Sequence, residues 1–203
     1  MARIETEDQL RDIYPEPTGR AAIKVLPKLE THSRRIISLS PFVLIATQGK
    51  SGSADVSPKG DMPGFVQVID DNTIAIPDRP GNNRIDGMKN IIENPHVGLI
   101  FLIPGVNETL RVNGDAEIRD EDDLLKRFEV NKKLPRTVMV VRIREVFMHC
   151  AKALVRSKLW DPASQIDRAN LPTISRIINE QAGLDGPEES QEDMMKRYKD
   201  QLY

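Results

Sequence analysis

Four segments of this 203-residue chain carry residue types able to do chemistry. The first is Ile76-Pro-Asp-Arg-Pro-Gly-Asn-Asn-Arg-Ile-Asp-Gly-Met-Lys-Asn90. Arg79, Asn82, Asn83 and Arg84 fall there in a glycine-containing turn at the start of a helical pattern. A helix N-terminus exposes unsatisfied N–H groups, and arginine grips phosphate through its planar fork. The segment therefore suits an isolated phosphate monoester. An Asn-capped helix with surface arginines accounts for the same spacing without any ligand.

The second segment is Asp55-Val-Ser-Pro-Lys-Gly-Asp61. Pro58 and Gly60 are expected to break a strand here and leave backbone N–H groups free. Those groups would suit the polar edge of a planar ring, with Ser57 and Pro58 alongside and Lys59 supplying charge. A bulged edge strand explains the pattern equally well. In the third segment, Leu110-Arg-Val-Asn-Gly114, Arg111 and Asn113 share one strand face by the period of two. Both need partners in an apolar sheet, either a ligand or a carboxylate such as Glu108.

The fourth segment runs from His149 to Trp160 and is basic through Lys152, Arg156 and Lys158. With the single tryptophan at its end, it could close over a flat anionic ligand. His149 and Cys150 are neighbours on an expected strand and would point to opposite faces, which, with three histidines and one cysteine in the chain, argues against a zinc site and a Cys-His nucleophile pair.

These segments need a frame to position them. Ile4 to Leu39 reads as two or three short helices, interrupted at Tyr14-Pro-Glu-Pro17 and near Pro27. Strand patterns follow at Phe42–Thr47, Ala54–Ser57, Gly64–Ile69 and Thr73–Pro77, the last two joined by an Asp70-Asp-Asn72 turn. Asn82–Asn94 has helical spacing, and Val97–Ile103 is an apolar strand. Glu108–Ile118 is another strand, and Asp120 is expected to cap the helix EDDLLKRF. Arg136–Cys150 alternates in its second half, as a half-buried antiparallel strand does. Beyond Pro162 the chain reads helical, most clearly over Thr173–Gln181, and the acidic tail from Gly186 reads as a frayed helix or as partly disordered. Roughly six strands with short helices give an α+β, mainly β architecture built on a closed or nearly closed antiparallel barrel. The lack of a long β-α-β repeat and of a G-x-G-x-x-G argues against a doubly wound dinucleotide fold.

The composition fits a soluble domain, with 39% hydrophobic and 30% charged residues. A formal net charge of -2 offers no electrostatic attraction for nucleic acid or an anionic membrane. The longest apolar runs are too short to cross a bilayer. The first residues lack the apolar core of a signal peptide, and one cysteine permits no internal disulfide. The expected compartment is the cytoplasm.

Together, SPFVLIAT, DVSPKGD, IPDRPGNNRIDGMKNIIENPHVGLIFLIPGVNETLRVNG and HCAKALVRSKLW resemble, in order, a bacterial branch of the FMN-binding split-barrel family related to pyridoxamine 5'-phosphate oxidase. The resemblance spans about Leu29 to Pro162. It implies a six-stranded split β-barrel over residues 40–162, flanked by helical additions at 1–39 and 163–203. It also implies a homodimer with FMN held at the subunit interface. Asn83 and Arg84 fall where relatives bind phosphate, with Arg79 and Asn82 beside them, and Ser57, Pro58 and Lys59 match the strand lining the flavin ring. Arg111 and the Lys152–Trp160 segment, with Lys158 inside it, are expected from the facing subunit, and Asn113 is a further cofactor-binding candidate. The implied activity is an FMN-dependent oxidoreductase of unassigned substrate. A non-catalytic flavin-binding or sensing protein, or a haem- or F420-binding member of the same fold, is the alternative. True pyridoxamine-phosphate oxidases carry a C-terminal Arg-x-His signature that Arg156-Ser-Lys-Leu-Trp160 does not reproduce, so conversion of pyridoxamine phosphate is not implied.

Overall fold

In the computed structural model, which describes residues 3–202, seven strands form one antiparallel sheet. They are β1 (Phe42–Gln48), β2 (Ala54–Gly60), β3 (Gln67–Asp70), β4 (Thr73–Asp78), β5 (His96–Leu102), β6 (Thr109–Arg119) and β7 (Thr137–His149). Their order is β2-β1-β5-β6-β7-β4-β3, so the strand count is seven where six were expected. No described helix is long and apolar enough to cross a membrane.

The interior follows from the alternation. Val43 and Ile45 of β1, Val97, Leu99 and Phe101 of β5, Leu110 and Val112 of β6, and Ile74 and Ile76 of β4 are all buried in one cluster. On β7 the buried positions are Met139, Val141 and Ile143, and then Val146. That change of phase marks a β-bulge: Asn113 pairs with Glu145 but Gly114 with Ile143, leaving Arg144 unopposed. The extra residue turns Arg144 toward Asp115, whose carboxylate it meets at 2.6 Å while His96 Nδ1 lies 2.7 Å from the other oxygen. Outside the barrel, Ala75 and Val138 are buried under Phe128 and the short helix α5 (Asp122–Lys126).

Two expected breaks fall elsewhere. β2 does not end at Pro58 but continues to Gly60, pairing Pro58 with Leu44. It is an edge strand, whose outer row of N–H groups has no ladder to serve, so an imino nitrogen costs nothing there. α5 is not capped by Asp120: Glu121 holds the cap position without a side-chain cap bond. Its carboxylate is turned back to Arg119 Nε at 2.8 Å.

At the N-terminal end, α1 (Glu7–Ile13) and α2 (Arg20–Ile23) bury none of their residues. Leu26 then bridges to Val146, and α3 (Thr31–Leu39) packs on β3, β6 and β7 with Ile37 fully buried. Helix α4 (Asp86–Glu93) lies against β1, β2 and β6. After β7 come α6 (Lys152–Ser157), two single 3-10 turns, α7 (Ile174–Ala182) and α8 (Gln191–Gln201). Of the two readings of the tail, a frayed helix or partial disorder, the structure shows a helix over Gln191–Gln201. Ser190 caps α8 by accepting from the Asp193 N–H, and Arg197 holds Glu189 at 2.8 Å.

Helix α3 begins with a reversed capping box. The Glu30 carboxylate accepts from the N–H groups of His32 and Ser33 at 2.7 Å each, while Ser33 Oγ accepts from the Glu30 N–H at 2.8 Å. Partial burial works to raise the Glu30 pKa, but the two backbone donors outweigh it and the net shift is downward. A depressed carboxylate pKa contributes stability above the ordinary range, about pH 4, and loses it as pH falls through the folded value. Glu30→Ala should therefore cost about 1 kcal/mol in urea unfolding at pH 7. The gap to wild type should narrow at pH 3, and an equal gap at both pH values would show that the charge of the cap contributes nothing.

Candidate functional site

The sheet curls until β2 faces the last residues of β4, but no ladder joins them among the described residues. β3 is the reason: it pairs only with Thr73–Ala75, so Ile76–Asp78 has no strand neighbour on that side. Side chains span the gap instead. Lys59 forms an ion pair with Asp78, and Arg79 Nε meets Asp61 at 3.2 Å while its Nη1 donates to the Phe128 carbonyl at 2.8 Å. The split is therefore a seam of charges.

A cavity of about 560 Å³ opens along this seam. Its apolar wall includes Ile45, Val56, Met88 and Met139, and Ser57, Pro58 and Lys59 border it from β2. Arg79, Asn82, Asn83 and Arg84 border it from the loop before α4. The structure thus brings together seven of the twelve residues singled out in the sequence. Half-buried Asp55, Ser57 and Lys59 alternate with exposed Val56 and Pro58, so Pro58 borders the cavity from its outer rim.

The loop differs from the expected helix start. α4 begins at Asp86, not at Asn82, and the preceding residues Asn83 (φ 59°) and Ile85 (φ 53°) are left-handed. Asparagine tolerates this conformation, but a β-branched isoleucine does so at a cost of order 1 kcal/mol or more. The loop is held by its own polar groups: Asn82 Oδ1 accepts from the Arg84 N–H at 3.0 Å. Arg84 Nε reaches Asp86 at 2.8 Å, and this hydrogen bond draws the Asp86 pKa below its ordinary value. Helix α4 is fixed to the barrel by Asn90 Nδ2, which donates to Thr47 Oγ1 at 3.0 Å. In its first turn Gly87 brings the backbone near β1 and β2; a Cβ there would lie 3.6 Å from Thr47 Oγ1 and 3.8 Å from Ser57 Oγ.

The other five residues lie off the cavity. The Arg111 guanidinium stacks 5.0 Å from the centre of the Phe147 ring, which Lys24 also approaches at 5.2 Å. The partner of Arg111 is thus an aromatic face rather than Glu108. Asn113 donates to Glu145 at 3.0 Å, and Trp160 Nε1 donates to the Val106 carbonyl at 2.9 Å. Lys152 opens α6, and Lys158 ends it at φ 52°.

Sequence reasoning missed Arg136 and Thr137, which line the cavity from the start of β7. Arg136 Nη1 donates to Asn83 Oδ1 at 2.7 Å, and its N–H bonds the Asp78 carbonyl at 3.2 Å. Thr137 pairs in register with Asp78, and its Oγ1 is buried without a hydrogen-bond partner. A phosphorylated planar ligand fits this lining, which offers cations and a buried hydroxyl together with an apolar wall.

Comparison with curated proteins gives no match. Among solved structures, the chain is similar to a variant of HupZ from Group A Streptococcus, with a TM-score of 0.50, 18% identity, and coverage of 59% of this chain and 98% of that one. It is also similar to a Lactobacillus delbrueckii protein assigned to the pyridoxamine 5'-phosphate oxidases, with a TM-score of 0.48, 24% identity and coverage of 62% and 99%. The sequence profile described as pyridoxamine 5'-phosphate oxidase matches residues 29–150, from the last residues before α3 through the end of β7. That span holds the whole sheet, the split and every residue lining the cavity, and with it the chain belongs to the pyridoxamine 5'-phosphate oxidase family.

Proposed function

We propose that the cavity binds FMN and that the protein is an FMN-dependent oxidoreductase acting as a homodimer. The observation that carries this reading is a cavity of about 560 Å³ at the barrel split of a family member, apolar on one wall and cationic on its rim. That volume falls within the range of about 300–1,000 Å³ usual for small-ligand sites. FMN, when bound, supplies the hydride or electron transfer at its ring, and the protein binds, orients and tunes it. Ser57 and Lys59 are the ring-edge contacts. Lys59 is held in place by Asp78, and its charge beside the ring favours negative charge developing there. Asn82 keeps the phosphate-side loop in its turn through the Arg84 N–H.

A second copy completes the site in this reading. Phe42, Val56, Ile92 and Met148 are large apolar side chains left exposed in one chain, and burying such surface favours association. Arg111, Asn113, Lys152, Lys158 and Trp160 would then reach the cavity of the facing subunit. The lone, exposed Cys150 suits the reducing cytoplasm, where we place the protein.

The test is the visible spectrum of purified protein before and after addition of FMN and desalting. A retained two-banded flavin spectrum supports the cofactor, and its anaerobic bleaching by NADH or NADPH supports turnover. Retained flavin that no nicotinamide donor reduces would leave a flavin-binding or sensing protein. A colourless protein that holds no added FMN would overturn the reading.

A further inference from the structure

We propose that Arg136, with the Thr137 hydroxyl beside it, anchors the ligand's phosphate in preference to Arg84; the assignment rests on the flavin reading of the cavity. Sorting the rim cations by partner separates them. Lys59 is paired with Asp78, Arg79 with Asp61, and Arg84 with Asp86 at 2.8 Å. The recorded partner of Arg136 is the neutral amide of Asn83, at 2.7 Å. A phosphate arriving at Arg84 competes with a carboxylate already in place; both arginines are exposed, so the difference between them is this partner. Among the described residues no carboxylate is paired with Arg136, although Asp78 lies nearby and is held by Lys59.

Guanidinium has five N–H donors, and the bond to Asn83 uses one. The rest form the fork that matches phosphate oxygens. The side chain is oriented before any ligand arrives: the Arg136 N–H is tied to Asp78, and Asn83 holds Nη1 from a left-handed turn. Asn83 is on this account a positioning residue for Arg136. Thr137 adds the second group. Its buried Oγ1 has no partner, an arrangement native structures avoid unless something completes it. A phosphate oxygen would complete it, so one strand start offers a cation and a hydroxyl to the same anion.

FMN and riboflavin, which lacks the phosphate, should be titrated by flavin fluorescence into wild type, Arg136→Gln, Thr137→Val and Arg84→Gln. Arg136→Gln should weaken FMN about 10- to 100-fold and leave riboflavin nearly unchanged. Arg84→Gln should weaken FMN by less than about threefold. Thr137→Val should weaken FMN while raising the melting temperature of the ligand-free protein, because it removes an unsatisfied buried hydroxyl. Unchanged FMN affinity in Arg136→Gln, or equal losses for FMN and riboflavin, would overturn the assignment and leave Arg136 as a loop support. If wild type binds neither flavin, the flavin reading fails, and pyrophosphate decides the anion site separately. A rise in wild-type melting temperature with pyrophosphate that is lost in Arg136→Gln sustains the site, and no rise in wild type overturns it.

Discussion

Gly114→Ala is expected to cost about 3 kcal/mol of folding stability, the upper end for overpacking by a single methyl group. The cause is the bulge on β6 and β7. There the Gly114 backbone comes so close to β7 that an added Cβ would overlap the Arg142 carbonyl oxygen, and would lie 3.0 Å from its carbon and 3.1 Å from Val141 Cγ1. The obstacle is backbone in the centre of the sheet, so neither strand can yield without breaking the ladder from Thr109 to Arg119. Gly98→Ala is the control. Its Cβ would meet Asn113 Oδ1 at 3.5 Å and Ala46 Cβ at 3.9 Å, which is ordinary contact. Urea unfolding should show a large fall in midpoint for Gly114→Ala with little change in slope, and a small effect for Gly98→Ala. Equal midpoints for the two variants would refute the close approach.

The second large effect is expected at Asp61→Ala, about 2–3 kcal/mol. The Arg79 and Asp61 side chains are 15% and 6% exposed, so the pair is nearly out of water. Asp61 is fully used: Oδ2 accepts from Arg79, and Oδ1 accepts from the Met62 N–H at 2.7 Å. Removing one member of a buried pair leaves the other charge poorly solvated, at a cost approaching that of fully buried pairs. The discount from those values reflects the Phe128 carbonyl, which still accepts from Arg79. Arg79 also leads into the loop of Asn82–Ile85, so the variant should bind FMN more weakly. Asp61→Ala/Arg79→Met should recover part of the stability, because an apolar pair replaces a nearly buried guanidinium that has lost this carboxylate. If the double variant is less stable than the single one, the lost ion pair is not the source of the loss.

Much of this fold was legible in the sequence because its strands obey local rules. Val97–Ile103 was expected and His96–Leu102 is observed; Thr73–Pro77 was expected and Thr73–Asp78 is observed. Period-two alternation and Asp-Asn turns are short-range signals, and the structure follows them. Pro58 misled because its tolerance depends on β2 being an edge strand, which only the sheet order reveals. The start of α4 was misplaced because the left-handed Asn83 and Ile85 break the helix without any proline or glycine at those positions. Arg136 could not be found locally at all. It stands 53 residues from Asn83, and only the register of Thr137 against Asp78 brings the two together. The Asn113-Gly114 pair was visible inside its strand, but the bulge it makes depends on a strand from Thr137 onward.

Pro58 has one more consequence. A barrel that stays split presents two free strand edges to a crowded solution, and an exposed edge is a template on which another chain can add a strand and aggregate. On β2, Pro58 sits at the middle of that edge without an N–H, Lys59 beside it carries charge, and β3 covers only half of β4. The opening where the proposed flavin would enter is thereby a poor acceptor for polypeptide, and the same residues that leave the split open disfavour strand addition along it.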